Sequence, residues 1–249
     1  MGQLFSPAAN SKTKVALLSI TILPIVGIYG IAALSRSSFN TKVDVPLNQP
    51  VPFSHRHHAW ELGIDCRYCH WGVEKSAYAN IPPTQVCMSC HSQIWTNSPL
   101  LAPVRESYET DSPISWTQVN RLPNFVYFNH SIHIARGINC DVCHGPVQKM
   151  QITWKGNSFQ MQWCLQCHRA PQRYLYRDPA YPKLSPRQQV FNLYKKLQDG
   201  EALSSKEGAI LGGDYNGSSN PKDLAEGKRL VSRYGIKVMQ LSDCSVCHH

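Results

Sequence analysis

Only one stretch of the chain keeps an apolar side chain at nearly every position, Val15 to Leu34, VALLSITILPIVGIYGIAAL. Twenty helical residues rise about 30 Å, the thickness of bilayer hydrocarbon, so residues 15–34 predict a transmembrane anchor helix. Pro24 in its middle predicts a slight kink or a carbonyl left free for a neighbouring helix. Beyond Leu34 the pattern breaks into short, proline-punctuated pieces with neither sustained alternation nor a long amphipathic face. Two helices stand out there by their caps. Ser185-Pro186 opens one that runs through Leu197 and ends at Asp199-Gly200, and a second runs from Pro221 to Tyr234 between Asn220 and Gly235. Their lysines and arginines read as a solvated face, and Thr96 to Ser115 reads as a loop. The expected fold is mainly irregular, with short α-helices.

The chemistry lies in the cysteines. All ten fall in five copies of C-x-x-C-H: Cys66-Cys69-His70, Cys87-Cys90-His91, Cys140-Cys143-His144, Cys164-Cys167-His168 and Cys244-Cys247-His248. Two cysteines three residues apart share one face of a helical turn, where their sulfurs can reach the two vinyl groups of one porphyrin. The histidine that follows can then bind the iron as proximal ligand, so the pattern reads as five covalently attached c-type haems. Zinc ribbons also use paired cysteines, but they need no histidine after every second one. The macrocycles would serve as the core of a loop-rich domain, with Trp60, Trp71, Trp95, Trp154 and Trp163 packing against them.

Covalent haem attachment implies that the haem domain lies outside the cytoplasm. Lys12 and Lys14 precede the apolar run and predict a cytoplasmic leader, residues 1–14, with the N-terminus inside and the haem domain on the periplasmic side of a bacterial inner membrane. Ala32 and Ala33 would suit a cleaved signal peptide, but twenty apolar residues exceed a signal core of about 7–15, which favours an uncleaved anchor. The net charge of +9 would ordinarily suggest an acidic partner. Ten haem propionates bring the loaded protein to about −1 with ferrous irons, so much of the basic excess reads as propionate partners and nucleic-acid binding is not expected.

An internal repeat organises the first two-thirds. Phe53-Ser54-His55-Arg56-His57-His58 precedes the first haem motif and Phe128-Asn129-His130-Ser131-Ile132-His133 the third, both reading F-x-H-x-x-H. Gly63-Ile64-Asp65-Cys66 matches Gly137-Ile138-Asn139-Cys140 once a one-residue gap is allowed. Two dihaem modules result, residues 35–125 with their linker and 126–170, followed by a helical extension, 171–249, that carries the fifth haem. Histidines at i and i+3 stand side by side on a helix, too close to bind both faces of one haem, though each can serve a different haem.

This arrangement resembles the class III multihaem cytochromes of the cytochrome c3 and c7 type. By that resemblance the first histidine of each pair, His55 or His130, completes the haem of the motif that follows it, while His58 and His133 reach other haems. The stretch Trp116-Thr117-Gln118-Val119-Asn120-Arg121-Leu122-Pro123-Asn124-Phe125-Val126-Tyr127-Phe128-Asn129-His130, the segment Met161-Gln162-Trp163-Cys164 and a haem motif in the last six residues are similar to the pentahaem cytochrome c component of alternative complex III. That likeness implies an electron-transfer subunit of a membrane quinol-oxidising complex. Its partners would be an iron-sulfur subunit, quinol-binding integral membrane subunits and a monohaem cytochrome c, with a soluble carrier or terminal oxidase beyond.

Of the eleven histidines, five are proximal candidates and four belong to the two pairs. His57 falls on another helix face and reads as a surface residue. The fifth haem then lacks an evident distal ligand. Met161 is the preferred candidate, serving a haem other than that of Cys164, with His249, Met150 and Met239 as alternatives. With every motif ending in histidine, no catalytic residue is expected on this chain. The rival readings are a self-sufficient membrane-anchored quinol dehydrogenase of the NapC/NrfH type, a protein whose redox-inert haems only staple a larger complex together, and a multihaem reductase.

Overall fold

The computed structural model describes residues 6–213 and 215–248. The chain divides at Val43/Asp44 into two compact units. In the first, helix α1 (Pro7–Arg36) runs unbroken through Pro24 and is followed by a single turn, α2 (Ser38–Thr41). Within the span Ala8–Arg36 an 18-residue window reaches a mean hydropathy of 2.3 with none of it buried, so the helix is long and apolar enough to cross a membrane. Thr13 and Thr21 donate their hydroxyls to the carbonyls four residues back, Ala9 and Leu17, so neither polar group is left open. The helix begins eight residues before the apolar run because Pro7 supplies a favourable first position and nothing up to Lys14 breaks the turn.

The second unit is built from short helices and irregular chain. No strand ladder occurs among the described residues, and the isolated bridges are Pro46 with Trp154 and Val126 with His248. Each cysteine motif starts or contains a helix: α3 (Cys66–Cys69), α4 (Thr84–His91), α7 (Cys140–His144), α8 (Met161–Arg169) and α12 (Cys244–Cys247). The others are α5 (Ala102–Thr110), α6 (His130–Ala135), α9 (Pro186–Gln198), α10 (Ser205–Gly212) and α11 (Pro221–Arg233). Helix α5 corrects the reading of Thr96–Ser115 as a loop. Proline at its first turn sets it up, and Val104 and Ser107 are buried against their surroundings.

The repeat has a conformational explanation. His130 opens an α-helix, whereas the matching segment Arg56–Glu61 is a π-turn in which Leu62 N–H donates to the His57 carbonyl five residues back. A π-turn takes up one residue more than an α-turn, which is the residue the sequence comparison must skip. Both copies then leave the helix through a glycine with positive φ, Gly63 at 68° and Gly137 at 78°.

The haem domain also has a polypeptide core, beyond the macrocycle core expected from the sequence. Ile138, Val142, Leu175, Leu193, Ile210, Leu211 and Leu230 are buried together where α9, α10 and α11 meet α7. Within it lies a charged triad. Lys196 Nζ reaches Asp178 Oδ2 at 2.7 Å and Glu207 Oε1 at 2.5 Å, with all three side chains no more than 8% exposed. Burial pushes Glu207 up, but hydrogen bonds from Lys196, Tyr176 and Ser204 outweigh it and hold the carboxyl at about 2. The stability from Glu207 is therefore complete above the ordinary carboxylate value and disappears as pH falls toward 2. Lys196 is shifted upward despite its burial by its two carboxylate partners, so its contribution is complete below its ordinary value and is lost at higher pH. Thermal melts from pH 6 to 2 should show the wild type losing more stability than a Glu207→Gln variant. Equal losses would contradict this account.

Candidate haem sites

The residue before the first cysteine shapes two of the five motifs. Asp65 caps α3 by accepting from Arg67 N–H at 2.8 Å, and Asn139 caps α7 by accepting from Asp141 N–H at 3.0 Å. Asp243 occupies the same position before α12 without a side-chain capping bond. Each cap starts a helical turn at the first cysteine, which places the two thiols on one side of it. None of the ten cysteines forms a disulfide. Burial pushes the Cys66 thiol up to about 11 and those of Cys143 and Cys167 to about 12, and it shifts Cys140 in the same direction. Burial therefore keeps these thiols neutral in the absence of a bound group. No group of three or more His, Cys, Asp or Glu poised to hold a metal ion occurs among the described residues.

The histidines meet in facing pairs. Ring centres are 6.4 Å apart for His55 and His70, 6.2 Å for His58 and His91, 6.1 Å for His130 and His144, and 6.2 Å for His133 and His168. With a metal–imidazole bond of about 2.0–2.1 Å and roughly 1 Å from ring nitrogen to ring centre, two trans imidazoles stand about 6 Å apart. The four pairs therefore fit a six-coordinate haem iron between them, and each contains the histidine of one C-x-x-C-H motif. Sequence left open which sites His58 and His133 face; the fold puts them opposite the second and fourth motifs. Burial lowers the pKa of His55 and His144 to about 4 and shifts His58, His130 and His133 down as well, so these rings stay neutral, as a metal ligand must.

The other ring nitrogen fixes the orientation. Nδ1–H donates to a backbone carbonyl in six cases: His58 to Ser54 (2.9 Å), His70 to Asn80 (2.6 Å), His91 to Ile94 (3.2 Å), His130 to Ala77 (2.7 Å), His133 to Asn129 (2.7 Å) and His168 to Leu241 (3.0 Å). Such acceptors settle the tautomer and leave Nε2 free for a metal. Asn80 takes a positive φ of 66°, which turns its carbonyl back toward His70. Phe53 packs against both histidines of the first F-x-H-x-x-H copy, edge-on to His55 at 5.0 Å and stacked on His58 at 4.5 Å. Phe128 does the same for His130 at 4.8 Å and His133 at 4.7 Å. The phenylalanine of F-x-H-x-x-H was visible in both copies; its role as a spacer between the two imidazoles was not.

The two copies of the repeat clamp each other. Ser76 and Ala77 of the first accept from Ser131 N–H and His130 N–H of the second, while Met150 of the second accepts from Arg56 N–H of the first. Cys87 opposes ionisation of Cys69, Cys66 that of Cys140, Cys164 and Cys167 that of Cys143, and Cys247 that of Cys164, so these thiols lie within electrostatic reach of one another.

The fifth site differs. The His248 ring stacks on Phe125 at 5.7 Å, and Tyr127 N–H donates to the Cys247 carbonyl at 2.8 Å, so the last motif is tied to the start of the second module. Among its candidate partners, Met150 is fully buried, Met161 and Met239 are 63% and 87% exposed, and His249 lies outside the described residues. His57 is engaged by Glu61 Oε2 at 3.0 Å and stacks on Trp95. Trp163 packs edge-on to Phe159, and Lys149 Nζ lies over the Trp60 ring.

Residues 126–190 match the family described as cytochrome c7 and related cytochrome c. The chain is also 28% identical, over 141 residues, to the menaquinone reductase multiheme cytochrome c subunit of Nitratidesulfovibrio vulgaris strain Hildenborough, a match that covers 48% of this chain and 67% of that protein. Both comparisons agree with a helical, strand-poor fold built to hold c-type haems.

Proposed function

We propose that the chain is a pentahaem c-type cytochrome that carries electrons within a membrane quinol-oxidising complex of the alternative complex III type. The reading rests chiefly on the four imidazole pairs at 6.1–6.4 Å, each joined to one C-x-x-C-H motif. When bound, each haem supplies one-electron exchange between ferric and ferrous iron. The chain's own residues do the rest. The ten motif cysteines anchor the groups, and His70, His91, His144, His168 and His248 bind them from the proximal side. His55, His58, His130 and His133 close the opposite faces of four, so those irons offer no position to a substrate. Met161 is the distal ligand proposed for the remaining iron. Residues 35–125, 126–170 and 171–249 form the two dihaem modules and the extension, behind an anchor at 15–34 with the N-terminus cytoplasmic.

The cysteine neighbours, Cys69 with Cys87, Cys66 with Cys140, Cys143 with Cys164 and Cys164 with Cys247, support a path through the motifs in the order second, first, third, fourth, fifth, with one end suited to receive electrons from an iron-sulfur subunit and the other to deliver them to a monohaem cytochrome, soluble carrier or oxidase. Menaquinone, named for the N. vulgaris relative, makes menaquinol the first quinol to test. Purification from native membranes in mild detergent, with mass spectrometry of every co-migrating protein and the intact mass of this chain, tests the reading. Five haems on the chain together with iron-sulfur, multi-helix and monohaem subunits are expected. Five haems with quinol oxidation by the chain alone would favour the NapC/NrfH-type alternative.

The ring planes in the His58–His91 pair cross at 66°, against 6°, 9° and 21° in the other three. Phe53 and Phe128 stack on the distal rings at nearly the same angle, 22° and 23°. The difference therefore arises on the proximal side, where a local carbonyl, Ile94, aims His91 while the distant Leu241 aims His168. Crossed ligand planes give ferric low-spin iron a large g anisotropy. The oxidised protein should show one ramp-like low-field EPR signal of single-haem intensity above three rhombic ones; four alike would contradict the geometry.

A further inference from the structure

Seven of the paired histidines have an orienting partner at Nδ1, and in six it is a backbone carbonyl. His55 is the exception: its Nδ1 lies 3.1 Å from Thr153 Oγ1, a half-buried hydroxyl ninety-eight residues away in the second module. If Nε2 binds iron, Nδ1 carries the proton and donates to that oxygen.

The contact belongs to a built clamp. Residues 150–153 line up against residues 54–56 through three successive hydrogen bonds: Arg56 N–H to the Met150 carbonyl at 3.0 Å, Ser54 Oγ to Gln151 Oε1 at 3.3 Å, and the His55–Thr153 pair itself. Trp154 continues the segment by bridging to Pro46. The reciprocal position, His130, donates to the Ala77 carbonyl, an acceptor that no side-chain substitution removes.

We infer that Thr153 is a positioning residue for the first haem, fixing the plane and basicity of its distal ligand His55 and thereby setting its potential below that of an otherwise identical site without the hydroxyl. This rests on the reading that His55 and His70 bind one iron. A hydrogen bond from Nδ1–H leaves more electron density on Nε2, which stabilises ferric over ferrous iron. Losing the bond removes that preference and frees the ring to rotate.

The test compares the holoprotein with Thr153→Val, which keeps the shape and loses the hydroxyl, and Thr153→Ser, which keeps the hydroxyl. Spectroelectrochemical titration of Thr153→Val should show one of five midpoint potentials raised and four unmoved, the third haem among them, with altered g values for a single rhombic EPR signal. Thr153→Ser should restore both. If the valine variant fails to load haem, Thr153→Ala repeats the comparison. Unmoved potentials and spectra in a fully loaded Thr153→Val or Thr153→Ala protein would overturn the proposal, as would a serine variant shifted as far as the valine one. A wild type lacking haem on Cys66 and Cys69 would instead overturn the underlying reading.

Discussion

Replacing His133 by alanine is expected to convert one low-spin haem into a high-spin, carbon monoxide-binding one. His133 faces His168 at 6.2 Å and 21°, its Nδ1 is fixed on the Asn129 carbonyl at 2.7 Å, and Phe128 supports its ring. None of these contacts offers a replacement ligand on that side, so the iron would lose its sixth ligand. The fold around it should persist, because Asn129 still caps α6 through Ser131 N–H. Reduced-plus-CO difference spectra should report one more haem equivalent than in the wild type. The same five low-spin haems in the variant would sink the pairing. On the proposed path, in which the fourth site stands between the third and the fifth, the variant should also slow reduction of the fifth haem while leaving the first and second unaffected.

Replacing Lys196 by methionine should cost about 3–5 kcal/mol of stability, the range for leaving buried charges without their partner. Asp178 and Glu207, with side chains 6% and 3% exposed, would then face each other across an apolar residue. The loss should fall on the polypeptide core that carries α9 to α11, so chemical denaturation followed by far-UV dichroism is the appropriate measurement. A companion with Asp178→Asn and Glu207→Gln added to Lys196→Met should recover much of the loss, since neutral partners carry no unpaired charge into the interior. Failure to recover would mean that the lysine acts through packing of its stem rather than its charge.

Some of this architecture could be read from residue types alone, wherever the cause is local. Ser185-Pro186 and Asn220-Pro221 place two helix starts because caps act within one turn, and the observed ends, Gln198 and Arg233, fall one residue from those expected. Helix α10, absent from the expected elements, carries a signal of the same kind, the capping box of Ser204 and Glu207. Helix α5 had less to offer, since only Val104 and Ser107 of its nine residues are buried. The proximal histidines follow from motif grammar. The partners of His58 and His133 do not, because a ring pair made by residues 33 or 35 positions apart depends on how α4 and α8 are brought round. The acceptors on Nδ1 were equally hidden: a carbonyl has no residue type, and Thr153 has no motif to mark it.

The mutual clamp between the halves constrains how such a protein can be taken apart. Residues 76–77 hold His130 and residues 150–153 hold His55, so each half completes the other's ligand geometry. A fragment cut out at the linker would keep its cysteines and proximal histidines and still be a defective cytochrome, because its distal imidazole would have lost its external brace. Minimal dihaem wires borrowed from this scaffold would therefore need two changes at once: the excision, and a surrogate acceptor placed beside the orphaned histidine.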